Sequence, residues 1–142
     1  MKFGRLILAG AALSAIMIPA VLAETITYKA DLKASEEVPA TASKGSGAAT
    51  VTFDPATKML TWKVTYSGLT GPATMGHFHG PAAPGQNAGV VIPFNKPDSP
   101  IEGSAKLTDE QVAELEAGKL YINIHTAANK AGEIRGQVTA AK

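Results

Sequence analysis

The sequence has no cysteine among its 142 residues. This absence excludes disulfide bonds, a thiol nucleophile and a lipid attached through an N-terminal cysteine of the mature chain. The sequence also lacks a G-x-S-x-G motif, so no serine has the usual setting of a hydrolase nucleophile. We therefore assign no catalytic residue. The fold must depend on its hydrophobic core, or on the core together with a ligand.

An excess of charge of either sign is also missing. The 13 basic and 12 acidic residues give a formal net charge of +1. Binding to nucleic acid or to a membrane surface needs clustered basic charge, and the sequence predicts neither. The length suits one domain with a single core.

A long apolar run is confined to the start of the chain. Lys2 and Arg5 precede this run, and it ends in the small-residue pattern V-L-A at Ala23. We interpret residues 1–23 as a secretory signal peptide and residues 24–142 as the mature domain, which predicts a periplasmic or secreted protein. A retained membrane anchor is the alternative, because the run approaches the ~18 residues of a membrane helix.

Most of the remaining sequence consists of short alternating segments between glycine- and proline-rich turns. The alternation predicts strands near residues 25–33, 50–53, 60–66, 74–79, 90–94, 101–107, 119–126 and 133–140. One segment, residues 107–119, has helical features: Thr108 and Gln111 form a capping-box pattern, and Gly118 supplies a stop. These elements predict an all-β antiparallel sandwich or Greek-key barrel with one short crossover helix.

Two of the three histidines lie in the segment T-M-G-H-F-H-G-P-A, residues 74–82. Side chains alternate between the two faces of a strand. An extended segment therefore places Met75, His77 and His79 on one face and Phe78 on the other.

The third histidine lies in a similar pattern, L-Y-I-N-I-H-T. There Ile122 and Ile124 share one strand face, while Asn123 and His125 share the opposite face with the tyrosine. If the isoleucines point into the core together with Phe78, all three histidines converge on one pocket or surface.

Such a cluster matches the ligands of a soft or borderline metal. Three imidazoles suit zinc or copper, and a thioether from Met75 favours copper, especially Cu(I). No carboxylate lies within five residues of His77 or His79 in the sequence, so calcium and magnesium are poorly matched. We predict a copper site formed by His77, His79 and His125, with Met75 as a fourth ligand. The alternative is that the histidines merely decorate an exposed strand and Met75 fills a gap in the core.

Three polar residues are candidates to position these imidazoles. Glu133 and Arg135 flank Ile134 in G-E-I-R-G-Q and therefore share a strand face, while Asn123 shares a face with His125. Two interpretations of the charged pair stay open. It forms an ordinary surface ion pair, or one member orders the loop beside His125 and supports an imidazole.

The segments G-H-F-H-G-P-A-A-P-G-Q-N-A-G-V-V-I-P-F and L-T-D-E-Q-V-A-E-L-E-A-G-K-L-Y-I-N-I-H-T-A-A-N-K-A-G-E-I-R-G-Q-V closely resemble the CHRD domain. This module is named after chordin and occurs in secreted bacterial proteins. The resemblance runs from about Thr25 to Val138. It implies an immunoglobulin-like or superoxide-dismutase-like Greek-key sandwich, but it implies little about activity, because the biochemical role of the family is largely undescribed.

A fainter similarity connects the chain to copper-zinc superoxide dismutase, whose copper site also begins with an H-x-H pair on a strand. By that resemblance, His77 and His79 match its first two copper ligands and His125 matches a later one. The enzyme needs more histidines than the three present here, and an aspartate, for its two metals. The resemblance therefore implies a copper-only site rather than a working dismutase.

Together these features predict an exported copper-binding protein that acts in copper storage, delivery or tolerance, with a copper-delivery or acceptor protein as its partner. Neutral imidazoles bind the metal, so affinity should fall as pH drops through about 6.5. The alternative is a metal-free extracellular module that contacts another protein through residues 37–47, residues 81–89 or a sheet edge. An enzyme, such as a copper oxidase or dismutase, is a third class.

Overall fold

The computed structural model describes residue 7, residues 9–19 and residues 24–142. The basic start and the V-L-A pattern of the predicted signal peptide lie outside the described residues, so that prediction stays a prediction. Within the described part of the chain, no helix is long and apolar enough to cross a membrane.

The described residues form nine strands and one short α-helix. The strands are β1 (Ile26–Lys33), β2 (Ser46–Asp54), β3 (Met59–Ser67), β4 (Ala73–His79), β5 (Val90–Pro93), β6 (Ile101–Lys106), β7 (Tyr121–Thr126), β8 (Ile134–Gln137) and β9 (Thr139–Ala140), and the helix is α1 (Asp109–Glu116). The predicted all-β fold with one short crossover helix is confirmed.

All strands belong to one antiparallel sheet that is nearly closed as a barrel. The order is β5-β4-β7-β8-β1-β2-β3-β6, and β9 pairs with β1. Long connections place β4 beside β7, β8 beside β1 and β3 beside β6, as expected for Greek-key topology. One continuous sheet therefore surrounds the core, and β5 and β6 are its edge strands.

The final predicted strand differs from expectation in one respect, because the chain divides it at Val138. Before this residue, β8 pairs with β7 and, through Arg135 and Lys33, with β1. After it, β9 pairs with β1. The backbone N–H of Val138 donates to Leu120 O at 2.9 Å, and its side chain is fully buried. The segment therefore lies between β7 and β1 as β8 and continues along β1 as β9.

The local signals for turns and caps act as the sequence predicts. In α1, the Thr108 side chain accepts from Gln111 N and the Gln111 side chain accepts from Thr108 N, which completes the capping box. Leu115 lies on the inward face of this helix and is fully buried. Between β2 and β3, Asp54 Oδ1 accepts from Ala56 N at 2.9 Å, which fixes the hairpin turn.

The barrel interior is filled by the inward residues of every long strand. At its centre, the ring of Trp62 meets Phe78 edge-on, with centroids 5.2 Å apart, and Phe94 packs against both rings. Such aromatic pairs add about 0.5–1.5 kcal/mol beyond the area that they bury. Gly103 lies opposite Trp62 in the sheet register, where a Cβ atom would overlap the indole ring. The interior is thus a packed core rather than a channel.

Candidate metal centre

The histidines lie on the outer face of the barrel, at the strands β4 and β7. The antiparallel register pairs Met75 with His125, and His77 with Asn123. Phe78 pairs with Ile122 on the inner face, and both of these side chains are fully buried in the core. The predicted alternation of faces is confirmed for both strands.

All three histidines converge on one point, as predicted. Their ligand nitrogens lie within 4.8 Å of one another. The ring centroids of His77 and His125 are 4.9 Å apart, and those of His77 and His79 are 5.3 Å apart. His79 and His125 are buried, with 8% and 6% of their surface exposed, whereas His77 is only half-buried. This spacing permits one ion to contact all three rings.

Backbone carbonyls fix the tautomers of the two buried histidines. His79 Nδ1 lies 3.0 Å from Ala88 O, and His125 Nδ1 lies 2.8 Å from Lys130 O. A carbonyl oxygen only accepts, so each Nδ1 carries the proton and each Nε2 of the neutral ring keeps its lone pair. Metal-binding histidines typically donate their second ring N–H in this way. His79 Nε2 is buried and has no hydrogen-bond partner.

Two polar atoms lie close to the nitrogen of His125 that faces the cluster. Its Nε2 lies 2.9 Å from Asn123 Oδ1 and 3.2 Å from His77 Nδ1. Lone pairs that meet at such distances repel unless a proton or a cation lies between them. A His77 ring that carries its proton on Nδ1 supplies the proton, and an ion bound by the three rings would take its place.

Burial of the cluster keeps the imidazoles of His77 and His79 neutral. Burial, and to a smaller extent the neighbouring His125 and His79, lower the pKa of His77 to about 4. Burial also lowers the pKa of His79, although its hydrogen bond to Ala88 O and the nearby Asn123 amide act in the opposite direction. Neutral imidazole is the form that binds metals. At His77, protons therefore compete with a metal near pH 4 rather than near pH 6.5.

Met75 lies beside the cluster but not in the core. Its side chain is 49% exposed, and it faces His125 across the strand pair. The alternative in which Met75 fills a core gap is therefore wrong. Met75 is therefore a half-exposed residue on the histidine face of the strand pair.

Tyr121 and Arg135 form a stack that supports the His79 ring on the side facing β8. The Tyr121 ring lies parallel to the His79 ring, with 4.9 Å between centroids and 3° between planes. The Arg135 guanidinium covers the opposite face of Tyr121 at 3.5 Å. The Tyr121 hydroxyl accepts from Ala88 N and donates to Ala88 O, the same carbonyl that holds His79. We did not single out Tyr121 from the sequence, although strand parity places it on the histidine face.

Arg135 also holds the loop that contains Ala88. It donates to Gln86 O at 2.6 Å and to Asn87 Oδ1 at 3.0 Å. Only 1% of Arg135 is exposed, and the described residues contain no ion pair between it and Glu133. The interpretation of Glu133 and Arg135 as a surface ion pair is therefore wrong.

Glu133 is fully buried and joins three loops. Its carboxylate accepts from Thr70 N at 2.9 Å, Thr70 Oγ1, Ser43 Oγ at 2.8 Å, Thr126 Oγ1 at 2.8 Å and Asn129 Nδ2 at 2.9 Å. Burial acts to raise the pKa of Glu133, but these hydrogen bonds outweigh it and lower the pKa to about 2. Thr126 and Asn129 belong to the segment that follows His125, so Glu133 orders the loop whose Lys130 carbonyl holds that imidazole.

Glu37 is a second buried carboxylate near the cluster, and the sequence carried no signal for it. It is 6% exposed and its Oε1 has no hydrogen-bond partner. Burial raises its pKa to about 7, against the opposing effects of Arg135 and the Asn123 amide. It reaches the site from the proline-containing loop after β1, a position that strand parity does not predict.

The fold and this site together define a class of protein, an all-β barrel with an imidazole cluster on its outer face. The family model of the CHRD domain matches residues 28–138, so the chain belongs to the CHRD domain family. This match covers every residue of the cluster and all of the barrel except the first two residues of β1 and the strand β9. No curated protein and no solved structure matches the chain.

Proposed function

We propose that this protein is an exported copper-binding protein that acts in copper storage, delivery or tolerance. Its ligands are Nε2 of His79, Nε2 of His125 and Nδ1 of His77, and Met75 supplies a thioether at the solvent side. The observation that carries the proposal is the pair of carbonyl-anchored imidazoles, because both direct a free lone pair toward the same small volume.

The donor set favours copper over the other common metals. Three imidazoles without a carboxylate ligand suit copper or zinc, and copper binds more tightly than zinc in the divalent series. An exposed thioether beside the cluster adds preference for Cu(I). Because the chain contains no cysteine, such a site stays functional in an oxidising compartment. The apolar N-terminal run and the CHRD family, whose members are typically extracellular, support export.

Titration of the purified protein with Cu(I) and Cu(II), in competition with a chelator, tests the proposal. We expect one copper per chain. His79→Ala and His125→Ala should abolish tight binding, whereas Thr61→Ala, on the outer face of β3, should have no effect. Unchanged binding in both histidine variants would refute the site.

The contribution of the thioether is measured in the same titration. Met75→Leu should weaken Cu(I) more than Cu(II), because a thioether is a soft ligand. Met59→Leu is the matched control, since Met59 lies in β3, which the sheet order separates from β4 and β7. Equal losses of Cu(I) and Cu(II) affinity in the Met75 variant would argue against thioether ligation.

The second candidate function is a metal-free extracellular interaction module. The observation that favours it is the firmly held 81–89 loop, which Arg135 and Gln137 anchor by side-chain hydrogen bonds while Gln86 and Asn87 remain exposed. A rigid, exposed loop suits recognition of another protein. This function predicts that copper leaves the thermal stability of the protein unchanged.

A further inference from the structure

The three candidate ligands differ in how firmly the protein holds them. His79 is fixed by the Ala88 carbonyl and by the parallel Tyr121 ring. His125 is fixed by the Lys130 carbonyl, and its loop is in turn ordered by Glu133. Both rings are buried, so neither can turn away without leaving a polar ring nitrogen unpaired.

His77 lacks such support. Within the described part of the chain, no backbone carbonyl holds its ring, and its Nδ1 makes its polar contact with His125 Nε2. That contact joins one candidate ligand to another, so a bound ion would replace it. The His77 ring is also only half-buried. Once copper is bound, the ion itself becomes the main restraint on this ring.

The side of the cluster on which His77 lies is also the side open to solvent. His77 pairs with Pro93 of the edge strand β5, and Pro93 is exposed. Met75 and Val90 are 49% and 53% exposed, and they flank the histidines along β4 and β5. On the opposite side, Tyr121 and Arg135 close the cluster. An incoming ligand therefore reaches the ion beside His77.

From this asymmetry we propose that copper is exchanged at His77. A thioether or an imidazole of the copper-acceptor protein forms a bond to the ion while the bond from His77 Nδ1 breaks. His79 and His125 stay bound until the acceptor has supplied its further ligands. The released imidazole is neutral and the copper keeps its oxidation state, so the step needs neither a proton nor an electron. This inference rests on the proposed copper site.

Chelator-driven removal of Cu(I) from the loaded protein tests the exchange route. We expect the rate to rise in proportion to the chelator concentration, because the incoming ligand takes part in the step. His77→Ala should retain one copper and lose it about tenfold faster, as expected when a barrier falls by about 1.4 kcal/mol. Thr61→Ala should exchange at the normal rate. A rate that is independent of the chelator, an unchanged rate in His77→Ala, or complete loss of binding in that variant would overturn the inference.

A spectroscopic measurement identifies the ligand that leaves. Cu(I) is diamagnetic, so the imidazole nitrogen resonances of the loaded protein report which rings are bound. Addition of a thioether such as methionine should release the His77 resonance while those of His79 and His125 remain shifted. Simultaneous release of all three, or release of His79 first, would contradict the route. Failure of the unmodified protein to bind copper would instead refute the proposed function, so the two failures are distinguishable.

Discussion

The G-E-I-R-G-Q motif shows how individual residues build the surroundings of the site. Gly132 has φ of +127°, a conformation that residues with a Cβ atom rarely adopt. A Cβ atom at this position would overlap the carboxylate of Glu37 and the amide of Asn123. The glycine thus allows the loop to approach the cluster closely, while Glu133 anchors that loop and Arg135 supports Tyr121.

Glu133→Gln should destabilise the protein at neutral pH, and the loss should depend on pH. The hydrogen bonds hold the pKa of Glu133 at about 2, below its usual value, so the ionised carboxylate stabilises the folded state. This contribution, about 3 kcal/mol by linkage, is present above about pH 4.5 and is lost as pH falls through 2. Denaturant unfolding at several pH values measures the difference between the two proteins.

The exposed Glu102 in β6 provides the matched control for this substitution. Glu102→Gln should leave the unfolding free energy within about 0.5 kcal/mol of the unmodified protein. If the Glu133 variant is as stable as the control at pH 7, or if its deficit is the same at pH 2 as at pH 7, the carboxylate does not act as an ionised anchor.

At the scale of elements, the site is formed by one strand pair and the loops that cover it. The register of β4 and β7 sets Met75 against His125 and His77 against Asn123. Alternation along the two strands was sufficient to predict that the histidines share a face, because side-chain direction in a strand depends only on parity. The all-β class and the helix cap were predictable for the same reason, since their signals are local.

The remainder of the site depends on contacts between distant parts of the chain. The carbonyls of Ala88 and Lys130 and the carboxylate of Glu37 come from loops, whose paths follow from tertiary packing rather than from a local period. The burial of Glu133 and Arg135 was missed for a related reason. Charged residues usually lie at the surface, and only the covering loops make these two interior.

Tyr121→Phe isolates the contact between β7 and the 81–89 loop. The substitution keeps the ring stacked on His79 but removes the hydroxyl that binds both Ala88 N and Ala88 O. We expect copper affinity to fall about tenfold, as is typical when a group that supports a metal ligand is lost, with one copper still bound. Tyr66→Phe removes a comparable hydroxyl that donates to Pro97 O at 2.6 Å, at a position on β3 away from the cluster. If both variants bind copper equally well, the hydroxyl does not position His79.

At the scale of the whole molecule, the core and the candidate metal centre are on opposite faces of the same sheet. The aromatic centre of the barrel lies inside, around Trp62, Phe78 and Phe94, whereas the histidines lie outside. The chain has no cysteine, so the packing of this core stabilises the fold without a disulfide bond. A metal on the outer face can then bind and leave without unfolding the barrel, which suits storage or delivery.

The protein should therefore be folded without metal and should gain stability from copper. In a chelator, it should unfold cooperatively and show a β-sheet circular dichroism spectrum, and His79→Ala should give the same spectrum. A copper concentration a hundredfold above the dissociation constant should add about 2.7 kcal/mol to the unfolding free energy and raise the melting temperature. The His79 variant should show no such rise, because it lacks a carbonyl-anchored ligand. A protein that is unfolded without metal would contradict the separation of core and site, and a melting temperature unaffected by copper would favour the metal-free interaction module.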